Sequence, residues 1–265
     1  MKWFGTLIAC LISATALAQG YDKVEKREKV DFENIHKSTV LFTFGQSNSA
    51  NHGQWSHLYT PVHEVYNYFQ GNLYKAKDPF LGATGEGGSV WGIVADGLID
   101  KKLAERVTVV PIGVGGVEIG AWAKGGNLHE LLCSTVRQLV EKKVHVDYIC
   151  WHQGESDNIR NTSTEEYISQ FLTIREVFRS NGIDAPIIVA VASYHPDCID
   201  ENFGCSDEIR NAQIRLAEEY DDIYLGPDTD QLNQLYQRAD GVHFSYLGQK
   251  EHARLWVESV LRIKK

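Results

Sequence analysis

The stretch Thr39-Val-Leu-Phe-Thr-Phe-Gly45-Gln46-Ser47-Asn48 decides the fold. Its first six residues are β formers with no polar break, and then the chain turns at a glycine followed by three polar side chains. Continuous apolarity, rather than alternation, is what a parallel strand needs when both of its faces are covered. Four more runs of this kind follow: Val107–Ile112, Val146–Trp151, Ile187–Ala192 and Ile223–Leu225.

The intervals between the runs carry helical periodicity. Leu128, Leu131, Leu132, Val136, Leu139 and Val140 fall on one face, with Asn127 placed to cap the start and Glu130 in the first turn. Ser163 and Glu166 form a capping box ahead of Tyr167, Ile168, Phe171 and Leu172, and Asn181-Gly182 stops that helix. Ser89 precedes Trp91, Val94 and Leu98. Ser206 precedes Asp207 and Glu208, which suit a helix start. Ser245 precedes Leu247, Leu255, Trp256 and Leu261. Strand–helix alternation with short connections predicts one doubly wound α/β domain over residues 38–265, with a central parallel sheet of about five strands.

The amino-terminal flank reads differently. Lys2, an apolar run over residues 4–17 and Ala16-Leu17-Ala18 have the form of a signal peptide over residues 1–18, too short to span a bilayer comfortably. This predicts a secreted or periplasmic protein without stable membrane insertion. Residues 19–37 are charged and aperiodic, and they read as an extended arm. Over the 265 residues, 35 acidic side chains against 26 basic ones give a net charge of −9, which opposes non-specific binding to nucleic acid. Of the five cysteines, Cys198 and Cys205 bracket a polar loop that a disulfide could close. Cys133 and Cys150 suit buried thiols equally well. No Cys/His spacing fits a structural zinc site.

In doubly wound sheets, sites gather at the carboxyl ends of the strands. After the first strand comes Gly45-Gln46-Ser47-Asn48, where a serine on a sharp turn is a candidate nucleophile. After the second comes Gly113-Val114-Gly115-Gly116, where a bare backbone N–H at Gly115 or Gly116 can approach a developing oxyanion. After the third comes Trp151-His152-Gln153-Gly154-Glu155-Ser156-Asp157, which sets an amide, a carboxylate and an imidazole side by side. Near the end, Asp240-Gly241-Val242-His243 lets a carboxylate reach an imidazole within one turn. His52 and His57 follow the nucleophile loop, within reach of a substrate. His129, His145 and His195 read as surface or loop residues. Each block alone is weak; together they supply a nucleophile, a base, an orienting carboxylate and oxyanion donors.

These four blocks, in this order, resemble the SGNH-hydrolase superfamily. They are more closely similar to the carbohydrate esterase group that contains family 6 acetyl xylan esterases and sialate O-acetylesterase-like proteins. The resemblance implies a flavodoxin-like three-layer α/β/α sandwich. It implies Ser47 as nucleophile, His243 as base and Asp240 as its partner. The implied oxyanion hole is the Ser47 N–H, the Gly116 N–H and the Gln153 side chain, with Gln46, Asn48 and Glu155 in support. Gln153 stands where most members of the superfamily have asparagine, a departure the closer group shares. Ser49 stands where many relatives have methionine. The implied activity is removal of O-acetyl groups from acetylated carbohydrate through an acetyl-enzyme, with no metal or organic cofactor. The implied partner is that sugar ester alone; the oligomeric state is left open. The rival readings are a lipid acyl esterase or thioesterase on the same fold, and a carbohydrate-binding relative without catalysis.

Overall fold

The computed structural model describes residues 24–198 and 203–263, so the signal-peptide segment lies outside the described residues. All five expected strands form: β2 (Thr39–Gly45), β5 (Val107–Pro111), β6 (Tyr148–His152), β7 (Ile187–Val191) and β8 (Ile223–Asp228). Three more join them: β1 (Lys29–Val30), β3 (Val65–Phe69) and β4 (Asn72–Lys75). The sheet therefore has eight strands, in the order β1-β4-β3-β5-β2-β6-β7-β8, and not about five. The six strands from β3 to β8 in that order are parallel; β4 runs antiparallel to β3, and β1 antiparallel to β4.

The added strands lack the continuous apolar signal. β3 and β4 are a hairpin around Gln70 (φ 46°) and Gly71 (φ 74°), two positive φ values that match the twist of the flanking strands. Asn67 breaks the apolarity of β3, yet it is buried, donating to Leu81 O at 3.1 Å and accepting from Leu81 N at 2.7 Å. The stretch read as an aperiodic arm supplies β1 and a 3-10 turn over Phe32–Lys37, which buries Ile35.

Helices cover both faces. One face of the sheet (Phe42, Phe44, Val110, Ile149, Trp151, Val189) packs against α2 (His129–Glu141), α4 (Thr164–Ser180) and α5 (Asp207–Glu219). The other (Leu41, Val107, Val109, Cys150, Ile188, Ala190) packs against α1 (Val90–Asp100) and α6 (Tyr246–Ile263). Neighbours along β2, such as Leu41 and Phe42, go to opposite faces, as the two-residue strand period requires. This is the three-layer α/β/α sandwich. Ser89, Ser163 and Ser206 cap their helices as expected. Asn127 does not, because α2 begins two residues later and Leu128 holds the cap position without a side-chain bond. No disulfide joins Cys198 to Cys205. No described helix is long and apolar enough to cross a membrane.

Candidate active site

At the carboxyl edge of the sheet, β2 and β6 approach so closely that only glycine fits at their crossing. A Cβ on Gly45 (φ 130°) would stand 2.0 Å from the His152 carbonyl oxygen. The chain then turns into a 3-10 turn over Ser47–Ser49, with Ser47 at its first position and 4% exposed. Ser49 Oγ donates back to Phe44 O at 2.9 Å and fixes the turn. As the first residue of the turn, Ser47 has a backbone N–H with no helical acceptor.

The loop after β5 is tied down on both sides. Val114 N–H donates to Gly45 O (3.2 Å) and Gly115 N–H to Thr84 Oγ1 (2.8 Å). Gly116 then takes φ 70°, the place a Cβ would occupy has nothing within 4 Å, and the residue lines the cleft. Farther on, Ile119 N–H donates to Asp157 Oδ2 at 2.8 Å. Asp157, on α3 (Glu155–Arg160), is therefore a buried hub that ties this helix to the β5 loop. It also accepts from Thr162 Oγ1 at 2.7 Å and from the Gln153 amide. Burial raises its pKa against those donors.

The Asp240–His243 turn forms as its spacing implies. Asp240 Oδ2 lies 2.7 Å from His243 Nδ1, while Oδ1 accepts the backbone N–H groups of Val242 (2.9 Å) and His243 (2.7 Å). Burial pushes the Asp240 carboxyl up, but the bonds from the His243 ring and the two backbone donors outweigh it and hold the pKa below the usual carboxylate range. Beneath the turn, Arg238 is buried and forks onto three carbonyls: Leu232 (2.6 Å), Val242 (2.6 Å) and Thr229 (3.1 Å). Its guanidinium sits 3.9 Å above the Phe244 ring.

Ser47, Gly116 and His243 share one cleft of about 610 Å³, walled also by Gln46, His52 and Thr84. His52 stacks on His243 with centroids 5.4 Å apart and 25° between planes, and its Nε2 lies 3.1 Å from Thr84 Oγ1. Burial, and then the neighbouring His243, push the His52 pKa down to about 4, with Asp240 opposing. Of the other histidines, His195 lies on the loop after β7, as the sequence reads it, and from there also lines the cleft. His57 stacks instead on Tyr246 at 5.0 Å. A separate cavity of about 350 Å³, walled largely by apolar residues of β3, β5 and α2, contains none of the candidate catalytic residues.

Ser47 and Gly116 both line the cleft, whereas Gln153 does not. Gln153 is fully buried, and its Nε2 donates to Asp157 Oδ2, to Val117 O (3.1 Å) and to Gln46 Oε1 (3.1 Å). The supporting residues do meet the site: Asn48 bonds the buried Glu155, and Gln46 lies between Ser47 and the β6 turn. Arg238 was not legible as functional, because a lone arginine two residues before Asp240 carries no spacing signal.

The sheet and its two helical layers have the fold of SGNH hydrolases, and solved structures align with the chain. A protein of Arabidopsis thaliana aligns with TM-score 0.68 and 18% identity over 84% of this chain and 98% of its own. A carbohydrate acetylesterase from Xanthomonas citri aligns at 0.57 and 14%, covering 85% of this chain and 56% of that one. A mutant acetyl-xylooligosaccharide esterase from Geobacillus aligns at 0.52 and 16%, over 84% and 94%. No curated protein sequence matches the chain. The profile described as "carbohydrate esterase, sialic acid-specific acetylesterase" matches residues 37–262, and the chain belongs to that family of ester hydrolases.

Proposed function

We propose that this enzyme is an exported serine esterase that removes acetyl groups from the hydroxyls of a carbohydrate through a Ser47–His243–Asp240 triad. The observation that carries the reading is the 2.7 Å contact of Asp240 Oδ2 with His243 Nδ1, on a ring that shares its cleft with Ser47. With Nδ1 held by the carboxylate, Nε2 is the nitrogen left to exchange a proton with Ser47.

In the first half-reaction, Ser47 Oγ adds to the acetyl carbonyl carbon as its proton passes to His243 Nε2. The tetrahedral oxyanion sits among backbone donors, the N–H groups of Ser47 and Gly116, which need no reorganisation when charge develops. Collapse breaks the bond to the sugar oxygen, which leaves with the proton from His243. Water then adds to the acetyl-enzyme with His243 as base, acetate departs, and Ser47 regains its proton. Asp240 stabilises the imidazolium in both halves and stays ionised, in keeping with its lowered pKa.

The family and the carbohydrate esterases that share the fold support an acetylated sugar as substrate. The test is acetate release from a panel of acetylated xylo-oligosaccharides and O-acetylated sialic acids, with long-chain acyl esters as the contrast. Rapid release from a sugar ester supports the proposal; turnover confined to long acyl chains overturns it. Export is tested by expression with residues 1–18 retained and amino-terminal sequencing of the protein recovered outside the cytoplasm. An amino terminus at Gln19 is the expected result.

A further inference from the structure

We propose that Trp55 is a sugar-binding subsite outside the cleft, on which a further ring of an uncharged acetylated oligosaccharide stacks while the acetyl group lies at Ser47; this rests on the esterase reading of the cleft. Trp55 is 79% exposed, whereas Trp91, Trp122, Trp151 and Trp256 are fully buried. Its backbone is nevertheless held. Gln54 N–H donates to Phe244 O at 3.1 Å, and Gln54 Oε1 accepts from Tyr246 N–H at 2.9 Å. Gly53 and Gly88 exchange backbone bonds at 3.0 and 3.2 Å, and the His57 ring stacks on Tyr246 with centroids 5.0 Å apart. The turn that carries Trp55 is thus fastened to the segment that follows His243. Trp55 is three residues beyond His52, which walls the cleft. Three residues of chain span at most about 11 Å, a separation that a short oligosaccharide bridges.

The chemistry of the ring and of the cleft selects a neutral sugar chain. The face of an indole is the negative side of its quadrupole, and a pyranose offers it a face of weakly positive C–H groups. Ser56 and His57, both exposed, stand beside the ring as partners for sugar hydroxyls. Among the described residues that wall the cleft there is no lysine or arginine. Arg160, next to the wall residue Ile159, is ion-paired with Glu118, and Arg238 is spent on three carbonyls. His52, with its pKa pushed down to about 4 by burial, is uncharged at neutral pH. A sugar carboxylate would find no lysine or arginine in these walls, and the net charge of −9 opposes its approach.

The test measures acetate release by the wild type, Trp55→Ala, Trp55→Tyr and Ser47→Ala from an acetylated xylo-oligosaccharide, from acetylated xylose and from an O-acetylated sialic acid. The ratio of kcat/KM for the oligosaccharide to that for the single sugar should fall about tenfold in Trp55→Ala, through KM, as the loss of one aromatic contact implies. Trp55→Tyr, which keeps an aromatic face, should restore most of the ratio. The wild type should release acetate from the sialic acid more slowly than from the oligosaccharide. A ratio within twofold of wild type in Trp55→Ala, or faster release from the sialic acid, overturns the inference. So does a change in sedimentation of Trp55→Ala, which would assign the ring to a contact between copies of the chain. If Ser47→Ala retains full activity, the esterase reading itself fails; an inactive Ser47→Ala beside an unchanged ratio in Trp55→Ala removes the subsite alone.

Discussion

Asn48 donates its side-chain amide to Glu155 Oε1 at 2.7 Å, so the residue after Ser47 is bonded to the first residue of α3 across the edge of the sheet. The same Nδ2 lies 3.4 Å from Val242 O, next to His243. One amide thus relates the Ser47 turn, the β6 turn and the His243 turn. Glu155 is buried and its Oε2 already has no partner among the described residues, so losing Asn48 would leave the whole carboxylate unbonded. Asn48→Ala should destabilise the protein by about 1–3 kcal/mol. It should also lower kcat by roughly tenfold, since small misplacements of reacting groups are costly. Thermal unfolding and steady-state kinetics read the two effects separately; no change in either contradicts the bridging role.

Arg238 is expected to be irreplaceable by lysine. Its fork meets the carbonyls of Leu232, Val242 and Thr229 at once, and a single ammonium cannot reproduce that plane of donors. Arg238→Lys should lose on the order of 3 kcal/mol of stability. Any folded fraction should show lowered kcat with a near-normal KM, because the carbonyl released is that of Val242, beside the base. Wild-type kinetics and melting in Arg238→Lys would show that the fork does not position the turn.

His52 predicts an acid-labile cleft. Its folded pKa of about 4 lies below the ordinary 6.5, so the unfolded chain binds the extra proton first. Stability from this group is complete above about 6.5 and is lost as pH falls toward 4, by at most about 3 kcal/mol. Asp78, pushed up to about 7 by burial, acts in the opposite sense, losing stability as pH rises from 3.8 toward 7. The useful measurement is therefore a difference. Between pH 7 and pH 5, the melting temperature should fall less in His52→Asn than in the wild type. An equal fall in both proteins would remove His52 from the account.

Trp256 separates stability from chemistry. It packs against Trp91 with centroids 5.0 Å apart, in the layer formed by α1 and α6, and both rings are fully buried. Trp256→Ala should cost about 3–5 kcal/mol in denaturant unfolding. The surviving folded enzyme should keep its kcat within a few fold. A specific kcat loss comparable to that of His243→Ala would mean the core reaches the site more directly than the layering implies.

The sequence made the central strands legible because β2, β5, β6 and β7 are covered on both faces, and burial on both sides writes an unbroken apolar run. It hid β3 and β4 because they are short strands of a hairpin, and the buried Asn67 and the Gln70-Gly71 turn interrupt the apolar run. The residues Ser47, Gly116, Asp240 and His243 were legible because each follows a strand or fits within one turn, where spacing constrains geometry. Gln153 was misplaced for a different reason. Sequence order puts it at the strand end, but its amide is taken up by Asp157, four residues on, and by Val117 O and Gln46 Oε1. Arg238 acts through contacts made by the fold, and local patterns carry no trace of those.

The central claim is that Ser47 is the nucleophile of an ester hydrolase, and covalent trapping tests it most directly. The enzyme is treated with a 4-nitrophenyl alkylphosphonate, and the adduct is located by peptide mass spectrometry. The account predicts one adduct per chain, on Ser47, with loss of acetate release in proportion to labelling. Label on another residue accompanied by loss of activity, or full acetate release from a chain labelled at Ser47, would contradict it.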